Sequence, residues 1–201
     1  MDIKAIIFDC GGVMIDYPVP ELMDFYSKYF NISIEKYLTA HKIFENQLQI
    51  SQISEQQFWQ GVCSRLGVSV PDCDSLLVNA IKSAHRPKPE MFSLAALLKK
   101  NGYKVGLLSN IEPPVAEFIS KQDYNMFHEL IFSSDVAIAK PDRRIYEISL
   151  KRLNVKPNES VFIDDIKENT NASKELGMNV ILFENPEQVR LELVQMGVNF
   201  C

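Results

Sequence analysis

The chain has 201 residues, of which 46% are apolar, with a formal net charge of −5, four cysteines and three histidines. Such a length suits one core with a modest insertion, and an acidic balance without clustered Lys and Arg argues against nucleic acid as a partner. No apolar stretch approaches the roughly 20 residues that span a bilayer, and the first apolar run is too short for a signal peptide, so a cytoplasmic protein without a membrane partner is expected.

The first run, residues 3–8, is continuously apolar and ends at Asp9. An acidic residue at the tip of a buried strand is costly to desolvate and asks for a counter-cation. Cys10 follows directly, but alternation turns its side chain away from that of Asp9 and no histidine is near in sequence, so it reads as a bystander rather than a nucleophile. Cys10, Cys63, Cys73 and Cys201 form no CxxC pair, and His41, His85 and His128 share no ligand spacing. Zinc is not expected, and the thiols are read as reduced.

Between Asp16 and Arg86 the chain shows helix patterns and no convincing strand. Helices are expected near 20–30, 34–49, 54–66 and 74–84, with Ser54 and Gln57 spaced as a capping box. Pro18, Pro20, Pro87 and Pro89 flank this stretch and stiffen its two connections. Residues 17–86 therefore read as an inserted helical cap subdomain, and residues 1–16 with 87–201 as the core. Anchored beside the first strand, such a cap is placed to open and close over a site. Its aromatics, Phe25, Tyr26, Tyr29, Phe30 and Trp59, fall at helical spacings and read mostly as core, with one or two lining a substrate pocket.

Beyond Arg86, strand and helix alternate. Apolar runs at 104–108, 130–132, 161–163 and 179–183 are interleaved with amphipathic segments at 89–100, 114–121, 143–153, 169–176 and 187–196. Continuously apolar strands alternating with helices indicate a parallel sheet covered on both faces.

Open parallel sheets bind ligands beyond the carboxyl ends of their strands, and the polar residues fall at those ends. Asp9 follows the first run, Ser109-Asn110 the second and Asp164-Asp165 the fourth, while Lys140-Pro141 lies beyond the third. Each has an ordinary explanation by itself: a loop Asp, a turn pair, a Lys before a helix that begins with Pro, an Asp165 that caps the next helix. Joint placement in chain order outweighs those readings, and the paired carboxylates with Asp9 point to magnesium.

The stretches Phe8-Asp9-Cys10-Gly11-Gly12-Val13, Leu107-Leu108-Ser109-Asn110, Lys140-Pro141 with Ile145-Tyr146, and Phe162-Ile163-Asp164-Asp165 with Asn169 resemble the four motifs of the haloacid dehalogenase-like hydrolase superfamily. The forms of the first two motifs look closest to the bacterial sugar-phosphatase branch that includes α-D-glucose-1-phosphate phosphatase. The resemblance implies an α/β fold: a Rossmann-like parallel sheet in the order 3-2-1-4-5, flanked by helices and carrying the inserted cap. It implies a small phosphorylated metabolite as substrate, Asp9 as the nucleophile, and an aspartyl-phosphate that water then hydrolyses. Magnesium would be held by Asp9, the Gly11 carbonyl and Asp165, with Asp164 or Asn169 in support. Ser109, Asn110 and Gly12 would bind substrate around the phosphate, and Lys140 would offset negative charge. Asp16, at the first hinge of the cap, reads as a solvent-facing carboxylate or as a contact to a substrate hydroxyl.

One position departs from the pattern. Most phosphatases of this superfamily carry an acid–base Asp two residues after the nucleophile, where this chain has Gly11. Positioned proton transfer contributes roughly 100- to 10,000-fold, an effect felt most with a poor leaving group. An anomeric sugar hydroxyl is more acidic than an ordinary alcohol, so a sugar 1-phosphate or another activated ester is expected, with a water or a cap residue delivering the proton. A 2-haloacid dehalogenase is the rival enzyme, but such enzymes need no metal and lack the acidic pair at the fourth motif. A weakly catalytic phospho-ligand-binding relative would have no need of the nucleophile, the Lys and the metal carboxylates together. A phosphomutase depends on the Asp that Gly11 replaces.

Overall fold

The computed structural model describes residues 2–16 and 19–199; Pro18 and Cys201, named above, lie outside the described residues. In chain order the strands are β1 (Ala5–Phe8), β2 (Ile15–Asp16), β3 (Arg86–Pro87), β4 (Lys104–Ser109), β5 (Glu129–Phe132), β6 (Ser160–Asp164) and β7 (Asn179–Leu182). Five of them form one parallel sheet in the order β5-β4-β1-β6-β7. With β2 and β3 left out of the count, that order is 3-2-1-4-5. Ala5, Ile6, Ile7 and Phe8 are fully buried, as are Val161, Phe162 and Ile163, which is why these strands read as unbroken apolar runs. No helix among the described residues is long and apolar enough to cross a membrane.

Helices α1 (Val19–Phe30), α2 (Ile34–His41), α3 (Glu45–Gln49), α4 (Glu55–Leu66) and α5 (Leu76–Ala84) follow β2. The remaining helices are α6 (Pro89–Lys100), α7 (Pro113–Ser120), α8 (Ser133–Val136), α9 (Arg143–Leu153), α10 (Lys167–Glu175) and α11 (Pro186–Gln195). Ser54 caps α4, its hydroxyl accepting from Gln57 N while the Gln57 side chain accepts from Ser54 N, the reciprocal pair read from the sequence. Local chemistry also ends α9, which starts at an Asp142 side-chain cap and stops at left-handed Asn154.

Two features differ from expectation. The span 34–49 is two helices, broken around Lys42–Phe44 so that the Phe44 ring fills the space where a Cβ at Gly61 would stand. The stretch from Asp16 to Arg86 also begins and ends in strand: β2 and β3 pair antiparallel, Ile15 with Pro87 and Asp16 with Arg86. This short ribbon brings both ends of the α1–α5 segment together beside β1.

Inside that segment the aromatics stack on one another. Tyr26 lies 4.6 Å from Tyr37 and 5.8 Å from Trp59, and Phe30 lies 5.6 Å from Trp59, centroid to centroid, each within reach of favourable ring packing. Glu55 joins three donors, Trp59 Nε1, Ser75 Oγ and Leu77 N, which satisfies a carboxylate between α4 and α5.

Candidate active site

Sheet register builds the site. Phe8 is level with Leu107 on one side and Ile163 on the other, so Asp9, Ser109 and Asp164 emerge from three adjacent strand ends. The Asp9 main chain continues the pairing, its N–H donating to Ile163 O at 2.8 Å. A cavity of about 1010 Å³ opens above these ends, lined at its floor by Asp9, Gly11, Gly12, Ser109, Lys140 and Asp165.

Lys140 enters from the loop after α8 and donates to Asp9 Oδ1 and to Asp164 Oδ2, each at 2.7 Å. Its main chain is fixed by Asn110: Nδ2 donates to Lys140 O at 2.9 Å, and Lys140 N donates to Oδ1 at 2.8 Å. The Asn110 side chain thus positions the lysine, while the substrate contact expected at this residue is one for its main-chain N–H. Asp164 also accepts from Ile166 N at 2.7 Å and from Asn169 Nδ2 at 3.1 and 3.2 Å. The bond from Ile166 N lies just ahead of α10, which takes no side-chain cap from Asp164 or Asp165.

The charges do not balance. Burial, against the pull of Lys140 and with the push of Asp164, drives the Asp9 carboxyl up to about 7. Burial alone would depress the Lys140 ammonium, yet Asp9 and Asp164 outweigh it and hold the lysine charged. Burial and Asp164 also raise Asp165. One ammonium among three carboxylates leaves a surplus of negative charge that a second cation would offset. Asp9, Asp164 and Asp165 each offer an oxygen, all within 4.8 Å of one another. Hard oxygen donors at this spacing suit a divalent ion such as magnesium.

The backbone and its surroundings both favour glycine at Gly12. Its φ is +83°, a left-handed value that favours glycine, and a Cβ there would collide with the Asp165 carboxylate. Cys10 is buried and burial pushes its thiol up to about 12, which fits a bystander.

Several residues around the cavity escaped the sequence reading. Lys88, just past β3, donates to Gly12 O at 2.7 Å and pairs with Asp16 Oδ1 at 2.6 Å, tying the loop after β1 to both ends of the helical segment. Asp16 is 61% exposed at its side chain, closer to the solvent-facing reading than to the substrate-binding one, though it does border the cavity. The roof is made by Glu21, Glu45, Gln49 and Ile81 from α1–α5, and Glu112, ahead of α7, lines the cavity beside Gln49. None of Phe25, Tyr26, Tyr29, Phe30 or Trp59 lines it: Tyr26, Phe30 and Trp59 are buried in the helical core with Phe25 packed against them, and Tyr29 is exposed. Nothing marks Glu112 or Gln49 in sequence, since each sits in an ordinary polar context.

A five-stranded parallel sheet with an Asp, a lysine and an acidic pair beyond its strand ends defines a hydrolase of the haloacid dehalogenase type. The model of the haloacid dehalogenase-like hydrolase family matches residues 3–177, and the chain belongs to that family. It is 24% identical to the D-ribitol-5-phosphate phosphatase of Bacteroides thetaiotaomicron, over 95% of this chain and 97% of that one. With mouse acyl-CoA dehydrogenase family member 10 it shares 23% identity over 94% of its length, but spans only 19% of that protein. The chain likewise spans about a third or less of several other curated relatives it matches. The fold is similar to that of a HAD-family enzyme of Bacteroides thetaiotaomicron solved with magnesium and inorganic phosphate, with a TM-score of 0.72 at 23% identity, covering 90% of this chain and 94% of that one.

Proposed function

We propose that this hydrolase is a magnesium-dependent phosphatase that cleaves a small phosphomonoester, a sugar phosphate such as a sugar 1-phosphate, through an aspartyl-phosphate at Asp9. The observation that carries the reading is the excess of carboxylate over ammonium around Asp9, Asp164 and Asp165. A dehalogenase has no use for that excess, whereas a phosphatase needs a cation to admit a dianion.

In this reading Asp9 attacks phosphorus, and Asp9, Asp165 and the Gly11 carbonyl hold the metal, with Asp164 in support. Bound magnesium would supply positive charge to the phosphoryl oxygens. Lys140 keeps Asp9 oriented and ionised and screens it from the arriving phosphate. Ser109, buried at the strand end, offers its hydroxyl to a phosphoryl oxygen. Residues 17–86 act as the cap, with the β2–β3 ribbon as its hinge, and their side chains in the roof select the leaving group. Phosphatase activity in a relative of nearly the same length supports the assignment.

A phosphate-release screen across phosphorylated sugars, polyols and other metabolites, with magnesium and with EDTA, tests this. Release from at least one sugar phosphate that stops with EDTA is expected; metal-independent halide release from a 2-haloacid, with no phosphate release, would sink the reading.

A further inference from the structure

We propose that Glu112 is the proton donor to the leaving alcohol, the task for which Gly11 offers no side chain; this rests on the phosphatase reading above. In-line displacement puts the leaving oxygen on the side of phosphorus opposite Asp9. With Asp9 at a strand end, that oxygen points toward the helical segment, on the side where Glu112 lines the same cavity and meets Gln49 of α3.

Glu112 occupies the N-cap position of α7, yet its side chain makes no capping bond. Its Oε1 accepts instead from Gln49 Nε2 at 3.3 Å. One hydroxyl braces both partners: Ser133 Oγ donates to Gln49 O at 2.7 Å and accepts from Ile111 N at 2.9 Å. Two residues earlier Asn110 grips Lys140, which holds Asp9, so the donor and the nucleophile belong to one bonded network. Burial raises the Glu112 carboxyl, helped by the charges of Glu45 and Glu55 and opposed by its own N–H and Gln49, so it keeps its proton to higher pH than an ordinary Glu. Two other groups that line the cavity are less suited. Glu45 is 42% exposed and sits 3.8 Å from His41, and the Lys88 ammonium is already bonded to Gly12 O and Asp16.

As the Asp9 oxygen bonds to phosphorus, the ester P–O bond breaks, its electron pair goes to the alkoxide oxygen, and the Glu112 carboxyl gives that oxygen its proton. Water then attacks phosphorus, the Asp9 O–P bond breaks, and the Glu112 carboxylate takes a proton from the water. Alcohol and inorganic phosphate leave, and both carboxyl groups return to their starting states.

The test compares glycerol 2-phosphate, whose alkoxide needs a proton, with p-nitrophenyl phosphate, whose phenolate does not. Glu112→Gln should lower the ratio of kcat/KM on the first to that on the second by about 100-fold or more, and Gly11→Asp in the same chain should restore about tenfold or more of it. A ratio unchanged by Glu112→Gln overturns the inference while leaving the phosphatase reading intact. If the wild-type protein with magnesium releases phosphate from neither ester nor from any sugar phosphate, the reading falls and the inference with it. Should Glu112→Gln fail to fold, Gln49→Ala, which frees the carboxyl from its brace, must lower the same ratio or the inference is wrong.

Discussion

Lys140 Nζ and Asp9 Oδ1 meet at 2.7 Å across 131 residues of chain, with the lysine side chain 2% exposed and the aspartate 9%. The same ammonium reaches Asp164, whose side chain is fully buried. Removing it would leave two buried carboxylates facing each other without a cation. Breaking a buried pair from one side costs about 3–5 kcal/mol, so Lys140→Met should lose about that much in urea unfolding at pH 8. Asp9, already pushed up to about 7, takes a proton as the pH falls, and the deficit should shrink at pH 5. A loss under about 1 kcal/mol at both pH values would contradict the role assigned to the pair.

Asp9→Asn keeps the shape of the side chain and removes its nucleophilic oxygen. Lys140 retains Asp164 as its partner, so the fold should persist with an unchanged far-ultraviolet spectrum and a cooperative melt. Phosphate release should drop by about 1,000-fold or more, since in the proposed mechanism no other group can form the covalent intermediate. A variant retaining most of its turnover would end the covalent mechanism.

The parts of the fold legible in the sequence are those governed by local pattern. Strands buried on both faces announce themselves as unbroken apolar runs, and the polar residues that terminate them stand out by contrast. Helix α9, with its Asp142 cap and left-handed Asn154, is bounded by residues a reader can see, and α6 by Pro89 at its start. The break between α2 and α3 was not legible, because it answers to Phe44 packing on Gly61 from another helix. Two-residue strands such as β2 and β3 carry no periodicity, and their pairing joins Asp16 to Arg86 from opposite ends of a long segment. At the site, Asp9, Lys140, Asp164 and Asp165 converge as their strand ends foretell. Lys88, Gln49 and Glu112 become partners only through tertiary contacts, whereas Tyr26, Phe30 and Trp59 lie in the helical core as their helical spacing indicates.

In the proposed site, metal and proton would compete for Asp9. With its carboxyl raised to about 7 by burial and by Asp164, the metal-free protein binds a proton there below that pH, and only the ionised form can ligate. Apparent magnesium affinity should therefore rise with pH by up to about tenfold per unit below 7 and level off above it. The sign for stability agrees. A folded-state value above the unfolded one makes the Asp9 contribution greatest at low pH, and it is lost as the pH rises through 7, so magnesium should raise the melting temperature more at pH 8 than at pH 5. Titration calorimetry and thermal melts over that range check both, and an affinity that does not change between pH 5 and 8 would remove Asp9 from the ligand set.

Gly12→Ala probes the metal side without touching a carboxylate. The substitution meets two penalties: a φ of +83°, which L residues rarely adopt, and a Cβ driven into the Asp165 carboxylate. Relief of the collision must come from the flexible side chain, so Asp165 should swing away from Asp9. Displacing a ligand in this manner weakens metal sites by about 10- to 100-fold, and the magnesium concentration for half-maximal activity should rise accordingly. Because Gly12 O also receives the Lys88 ammonium, Lys88→Met serves as the comparison: it loosens the same loop but adds no atom against Asp165. Loss of magnesium affinity in Gly12→Ala well beyond that in Lys88→Met would place the effect on Asp165, whereas equal losses would assign it to the loop.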